Sequence, residues 1–258
     1  MSMFTASPAV ADHGVPTDTT CCPAVELRQY TLRPGRRDEL IALFEREFVE
    51  SQEAMGMSLL GQFRDLDAPD RFVWLRGFDD MEARARALAA FYDGPVWRAH
   101  RDAANATMID SDNVLLLRPA APGAGFVLDG GRAAIDGPSP PAGLVVATLY
   151  AFDAPVDIDF LDFFARELRP AFAAAGASVI GSFVTETAAN TFPRLPVREG
   201  EHVFAWFARF RDEAAHAAYR AALVARPDWR ALAVALGRHL QGPPEVLRLA
   251  PTPRSRLR

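Results

Sequence analysis

The sequence predicts an α+β chain of two βαββαβ repeats whose sheets stack into one two-halved barrel. Three observations carry that reading: a phrase that occurs twice, a series of landmarks at a fixed offset, and a Pro- and Gly-rich stretch between the copies. "RFVWLRGFDD" at 71–80 returns as "VFAWFARFRD" at 203–212. At an offset of 120, Tyr30 falls on Tyr150, Phe44 on Phe164, Gly56 on Gly176, Gly61 on Gly181 and Phe63 on Phe183. Past residue 183 the offset becomes 132, and Trp74 meets Trp206, Phe78 meets Phe210, Pro95 meets Pro227, Trp97 meets Trp229 and Pro119 meets Pro251. The difference, 132 minus 120, is a 12-residue insertion within "VTETAANTFPRLPVREGE", about 184–201. An insertion inside an element would destroy ladder register and packing, so it belongs in a loop. A period of this size makes the repeat the unit of architecture.

Within each copy the elements follow from local pattern. "VELRQYTL" alternates and is rich in β-formers, which predicts a strand over 25–32. "RRDELIALFEREFVESQEAM" sets Leu40, Leu43, Phe44 and Phe48 on one helical face before Gly56 stops it, and "DFLDFFAREL" repeats that face with Phe160, Phe163 and Phe164. "MSLLGQF" and "RFVWLRGF" read as an antiparallel hairpin across the Asp-rich "RDLDAPD". Asp79 or Asp80 caps the helix "MEARARALAAFY", Gly94-Pro95 breaks it, and a further helix runs over about 96–107. "NVLLLRP" is the fourth strand, while Asp110, Asp112 and Asn113 before it read as a turn rather than a metal site. The predicted organisation is a disordered arm 1–24, a first repeat 25–119, a linker 120–142, a degenerate second repeat 143–251 and a basic tail 252–258, solvated and frayed. Two helices on one face of a four-stranded sheet leave the other face bare, and stacking the two sheets covers both.

Composition limits the function classes. A chain of 258 residues, half of them apolar, buries a sizeable core, and a net charge of -5 offers no basic field for nucleic acid. No apolar run is long enough to span a bilayer and the first 24 residues have no leader pattern, so a cytoplasmic protein is expected. Cys21 and Cys22 are adjacent, where a disulfide is geometrically awkward, and read as incidental thiols. Phosphate-loop, nucleophile-elbow, zinc-protease and paired-Cys motifs are absent, and the "GAG" at 123–125 lies in the linker. His202, His216 and His239 have no ligand spacing and receive no role.

"VELRQYTLRPGRRDEL", "FVWLRGF", "GPVWRAHRDAANATM" and "NVLLLRP" together resemble the NIPSNAP family over residues 25–119, with a looser match in 143–251. The resemblance implies tandem ferredoxin-like repeats in the dimeric α/β-barrel fold, here closed within one chain. It implies little about activity, since many members have no assigned reaction and related barrels include monooxygenases, decarboxylases and haem enzymes.

Strand alternation puts Glu26, Arg28 and Tyr30 on one face of the first strand and Phe72, Trp74, Arg76 and Phe78 on one face of the third. If the more apolar Val25 and Leu27 meet the helices, this polar set points into the barrel. Its counterparts are Val146, Thr148, Tyr150, Trp206 and Ala208, so charge is confined to the first copy. A buried charge costs several kcal/mol unless paired, and closing a barrel does not require one.

The expectation is therefore a small-molecule enzyme acting by acid/base chemistry on an anionic or aromatic substrate, with its pocket in the barrel interior of the first repeat. His100, Tyr30 and Glu26 are its catalytic candidates, and Arg28, Arg76 and Trp74 its substrate-binding candidates. No metal and no cofactor are expected. The same residues also fit a structural ion-pair network. An alternative function is a non-catalytic binding or interaction module using the insertion or the N-terminal arm. A third is haem binding with His100 as axial ligand. Association of two such chains into a homo-oligomer stays open.

Overall fold

The computed structural model describes residues 20–128, 131–135, 137, 138 and 143–258. The first repeat runs β1 (Ala24–Leu32), α1 (Arg37–Leu43), a π-helical turn (Phe44–Phe48), α2 (Val49–Glu53), β2 (Ser58–Asp65), β3 (Arg71–Phe78), α3 (Met81–Tyr92), α4 (Pro95–Thr107) and β4 (Met108–Pro119). The second runs β5 (Leu144–Phe152), α5 (Ile158–Phe163), a π-helical turn (Phe164–Leu168), α6 (Arg169–Ala175), β6 (Ser178–Thr185), β7 (His202–Phe210), α7 (Glu213–Ala225), α8 (Trp229–Gly237) and β8 (Glu245–Pro251). Both π-helical turns fall at the same repeat position, and Gly56 and Gly176 end the helices that follow with φ of 89° and 111°. That left-handed region is cheap only for glycine. The insertion lies in the β6–β7 loop, as expected. "MIDSDNV", expected as a turn, instead extends β4 through irregular pairing with Thr31 and Leu32.

The strands close into a barrel in the order β1-β3-β2-β8-β5-β7-β6-β4. The halves join at two antiparallel seams, β2 with β8 through Phe63 and Pro251, and β4 with β6 through Pro119 and Phe183. The interior is an apolar core shared by both repeats. Val25, Leu27, Val73, Leu75, Leu115 and Leu117 meet Val145, Ala147, Leu149, Val203, Ala205 and Phe207 there. Each fully buried aliphatic or aromatic side chain contributes about 1.5–3 kcal/mol of transfer free energy.

This arrangement corrects the face assignment. Val25 and Leu27 fill the barrel, whereas Tyr30, Trp74 and Phe78 pack among Phe44, Phe48, Leu88 and Phe91 in the layer under the helices. Both faces of β1 and β3 are buried, so polarity does not tell inside from outside there. The narrow space between two sheets selects compact aliphatics, and the wider helix layer accepts aromatics and long side chains.

The chain after each repeat's last strand crosses to the other repeat. Residues 120–126 run beside β6, with Ala120 N–H donating to Ser182 O (3.0 Å) and Ser182 N–H to Ala124 O (2.9 Å). Residues 252–257 run beside β2, with Thr252 N–H donating to Gln62 O (2.9 Å) and Leu257 N–H to Leu60 O (2.9 Å). Phe126 thereby enters the core beside Phe183, with ring centroids 4.6 Å apart, and a Cβ on Gly181 would lie 3.0 Å from its ring. The repeated glycines Gly61 and Gly181 thus make room for aromatic rings, that of Phe63 at Gly61 and those of Phe183 and Phe126 at Gly181.

The expected frayed tail is accordingly packed: Thr252, Arg254, Ser255 and Leu257 are all buried, held by these ladder bonds and by Arg254 pairing with Glu50. The linker also carries structure at Phe126 and Arg132, while its residues 129, 130, 136 and 139–142 lie outside the described residues. Of the arm predicted as disordered, residues 1–19 lie outside the described residues. Residues 20–23 lead into β1, Cys21 bridges to Phe126, and the Cys21 and Cys22 sulfurs lie side by side. Among the described residues no helix is long and apolar enough to cross a membrane, and no group of His, Cys, Asp and Glu is arranged to hold a metal ion.

Candidate functional site

The polar set of the first repeat is assembled by strand register. β1 pairs with β3 so that Glu26 faces Arg76, Arg28 faces Trp74 and Tyr30 faces Phe72. All point toward the helices, and α3 supplies one more member. Asp80 caps that helix by accepting from Ala83 N–H at 2.6 Å, which sets the turn so that Arg84 lies on the buried stripe with Ala87, Leu88 and Phe91.

The result is one carboxylate held by three guanidinium groups. Glu26 Oε2 accepts from Arg28 Nη1 at 2.7 Å and from Arg76 Nε at 2.8 Å, and Glu26 Oε1 accepts from Arg84 Nε at 2.7 Å. All four side chains are at most 1% exposed. Arg28 Nε donates to Tyr30 Oη at 3.1 Å and Arg76 Nη1 to Gln52 Oε1 at 3.0 Å. Trp74 lies between the cations, its ring 5.4 Å from the Arg28 guanidinium and 5.0 Å from that of Arg76.

The charges do not balance. Burial alone would raise the Glu26 pKa, but the nearby Arg76, Arg28 and Arg84 outweigh it and hold the carboxyl well below the usual carboxylate range. Burial pushes Arg84 down, with Glu26 opposing. Burial likewise pushes the Tyr30 phenol up against the pull of Arg28, so it stays protonated. One negative charge against three positive leaves an excess of two cations in a buried layer. Arg76 Nη2, Arg84 Nη2 and Trp74 Nε1 are buried without an acceptor among the described residues. Donors outnumber acceptors here, which is the chemistry of an oxyanion site.

The roof comes from the other repeat. In the β6–β7 insertion, Asn190 Oδ1 and Thr191 Oγ1 accept from Arg84 Nη1 at 3.0 and 3.2 Å, Phe192 stacks on Tyr92 with centroids 5.9 Å apart, and Arg194 pairs with Asp93 through two bonds of 2.9 and 3.0 Å.

The structure therefore brings together Glu26, Arg28, Tyr30, Trp74 and Arg76, on the helix side rather than inside the barrel, and the expected barrel-interior pocket is replaced by a filled apolar core, with none of the described clefts lined by these residues. His100 is placed elsewhere: its Nε2 is 3.4 Å from Glu47, its ring lies against Phe48, and no described hydrogen bond joins it to the cluster. Sequence reasoning missed Arg84, Gln52, Asn190 and Thr191. Arg84 was detectable, because helical spacing from Ala87, Leu88 and Phe91 sets an arginine on an apolar stripe. The roof residues carry no such signal, since a loop's landing place is not written in its periodicity.

A family model described as NIPSNAP matches residues 25–122. The first repeat is a NIPSNAP domain. An uncharacterised NIPSNAP-like domain protein from Burkholderia xenovorans is 31% identical over 38% of this chain and 85% of its own, with a TM-score of 0.36. Two structures share the whole barrel. One, from Lactobacillus acidophilus and provisionally named a monooxygenase, is 15% identical over 89% of this chain and 94% of its own, with a TM-score of 0.52. The other, from Fusobacterium nucleatum with the same provisional name, is 9% identical over 89% of this chain and 92% of its own, with a TM-score of 0.54. At such identities the likeness extends to the fold alone. No curated protein matches the chain. The NIPSNAP domain thus contributes every charged member of the buried cluster, and the second repeat contributes its roof.

Proposed function

We propose that the NIPSNAP domain is a small-molecule enzyme that binds an anionic substrate between its sheet and its helices. The observation that carries this reading is the uncompensated donor set: two excess guanidinium charges, with Arg76 Nη2 and Arg84 Nη2 unpartnered among the described residues. A carboxylate, enolate or phenolate oxygen supplies the missing acceptor, and Trp74 supplies an aromatic wall for a flat substrate. Admission requires the Asn190–Phe192 turn to lift, because its oxygens occupy the Arg84 donors in the closed state.

The acid/base role belongs to Tyr30. Its phenol keeps its proton, accepts from Arg28 Nε, and delivers that proton to a developing oxyanion beside the guanidinium groups. Glu26, with its carboxylate held by three cations, is a poor proton acceptor and acts as the anchor that orients them.

The test is a thermal-shift screen of small carboxylates and phenols on the wild type and on Arg84→Gln, followed by turnover assays on any hit. Saturating ligand at about 100 times Kd adds about 2.7 kcal/mol to stability, which moves Tm by several degrees in the wild type and much less in the variant. Equal shifts in both proteins, or none in either, would overturn the proposal in favour of a structural network.

A further inference from the structure

We infer that a second, separate anion site lies at one end of the barrel, in a cleft of about 370 Å³ between the linker, β6 and the chain's last residues, and that it takes a phosphate-bearing small molecule. Four arginines line it, Arg169 from α6, Arg209 from β7, and Arg256 and Arg258 from the final segment, together with Ser178 and Ser182 of β6. None of its described lining residues is Asp or Glu. The volume is in the range of small-ligand sites, which begins at about 300 Å³.

Internal symmetry provides the control. At the related place in the first repeat, arginines are also present but neutralised. Arg132 donates to Glu53 Oε1 at 2.7 Å, to Leu59 O at 2.6 Å and to Gln62 Oε1 at 3.2 Å, and Arg254 pairs with Glu50 and donates its backbone N–H to Glu45 Oε1 at 3.0 Å. At the 120 offset the three acids Glu45, Glu50 and Glu53 correspond to Ala165, Pro170 and Ala173, so the second repeat supplies no counterpart of them, and of the three only Glu45 acts on a cleft arginine, Arg258, without a hydrogen bond to it. Its cations have been added instead: Arg169 and Arg209 stand where the first repeat has Val49 and Gly77.

None of the four forms an ion pair with a described residue. Arg256 Nε is buried without a partner, and Arg258 donates only to the carbonyls of Ser255 and Pro253. Multiple guanidinium forks with hydroxyls, and no Asp or Glu among the described lining residues, match a multiply charged phosphate group, and the apolar Val179 and Leu257 on the same wall fit the organic part of an ester. This cleft shares no residue with the Glu26 cluster.

Calorimetric titration with adenosine diphosphate and, separately, with pyrophosphate tests the site. Arg209→Gln removes an exposed side chain with no described bond, so the variant folds. It is expected to weaken nucleotide binding at least tenfold, and adding Arg169→Gln is expected to abolish it. Arg46→Gln, on an exposed side chain that pairs with Glu47, leaves binding unchanged. No saturable binding at millimolar ligand, or variants that bind as the wild type does, would overturn the site. Pyrophosphate binding as tightly as the nucleotide would overturn the assignment to an ester.

Discussion

The two repeats share a fold and differ in what they bury under their helices. In the first, Glu26, Arg28, Arg76, Arg84 and Gln52 form a charged layer. In the second, the same places hold Val146, Thr148, Ala208, His216 and Phe172. Trp206 stacks there on Phe172 with centroids 4.5 Å apart, whereas Trp74 meets guanidinium groups. The second repeat demonstrates that this sheet–helix layer closes without a carboxylate or guanidinium group at these places. The charges of the first repeat are therefore not a requirement of the barrel, and burying them carries a desolvation cost that the second repeat avoids.

The largest expected effect that would break this comparison is Glu26→Gln. Removing the one carboxylate leaves three buried guanidinium groups uncompensated and is expected to cost about 3–5 kcal/mol in denaturant unfolding. Val146→Ala, at the equivalent place in the second repeat, should cost far less. A similar loss at both positions would show that the cluster is no more demanding than ordinary core.

Next comes the roof. Asn190→Ala deprives Arg84 and the Phe192 N–H of an acceptor and is expected to cost about 1–3 kcal/mol, with faster hydrogen exchange confined to the β6–β7 loop and α3. Unchanged exchange in α3 would separate the insertion from the cluster energetically.

The smallest effect is acid sensitivity, and the two repeats should differ in where it falls. Burial lowers the His216 pKa below its ordinary 6.5, with Arg220 and Arg248 assisting. A depressed folded pKa means the unfolded chain binds the proton more readily, so this contribution is present above pH 6.5 and declines as pH falls through the folded value. Glu26 is also depressed, from an ordinary 4.5, so its contribution is complete above pH 4.5 and fades only in stronger acid. Melting temperature plotted against pH is expected to decline first below pH 6.5 and again below pH 4.5. His216→Gln should remove the first decline alone; if it leaves that decline unchanged, the assignment fails.

Much of this protein was legible in its sequence. The landmark offsets identified two repeats and located the insertion, and the periodicities placed the helices and the hairpins. Trp74 and Arg76 were correctly put on one face with Phe72 and Phe78, and Glu26, Arg28 and Tyr30 on one face of β1. The error lay in the direction of that face. Inferring that the more apolar side meets the helices assumes a wet barrel, and the barrel is filled by Val25, Leu27 and their partners from both repeats.

Chain order and side-chain pattern determine which residues share a face, because the strand period of two and the helical period of 3.6 are properties of the local backbone. Which face turns inward depends on how two distant sheets meet, and no local period records that. The same limit applies to Asn190 over Arg84, to Phe126 in the core and to Arg254 against Glu50. Each joins segments that only the closed barrel brings together, and each was decided by packing between repeats.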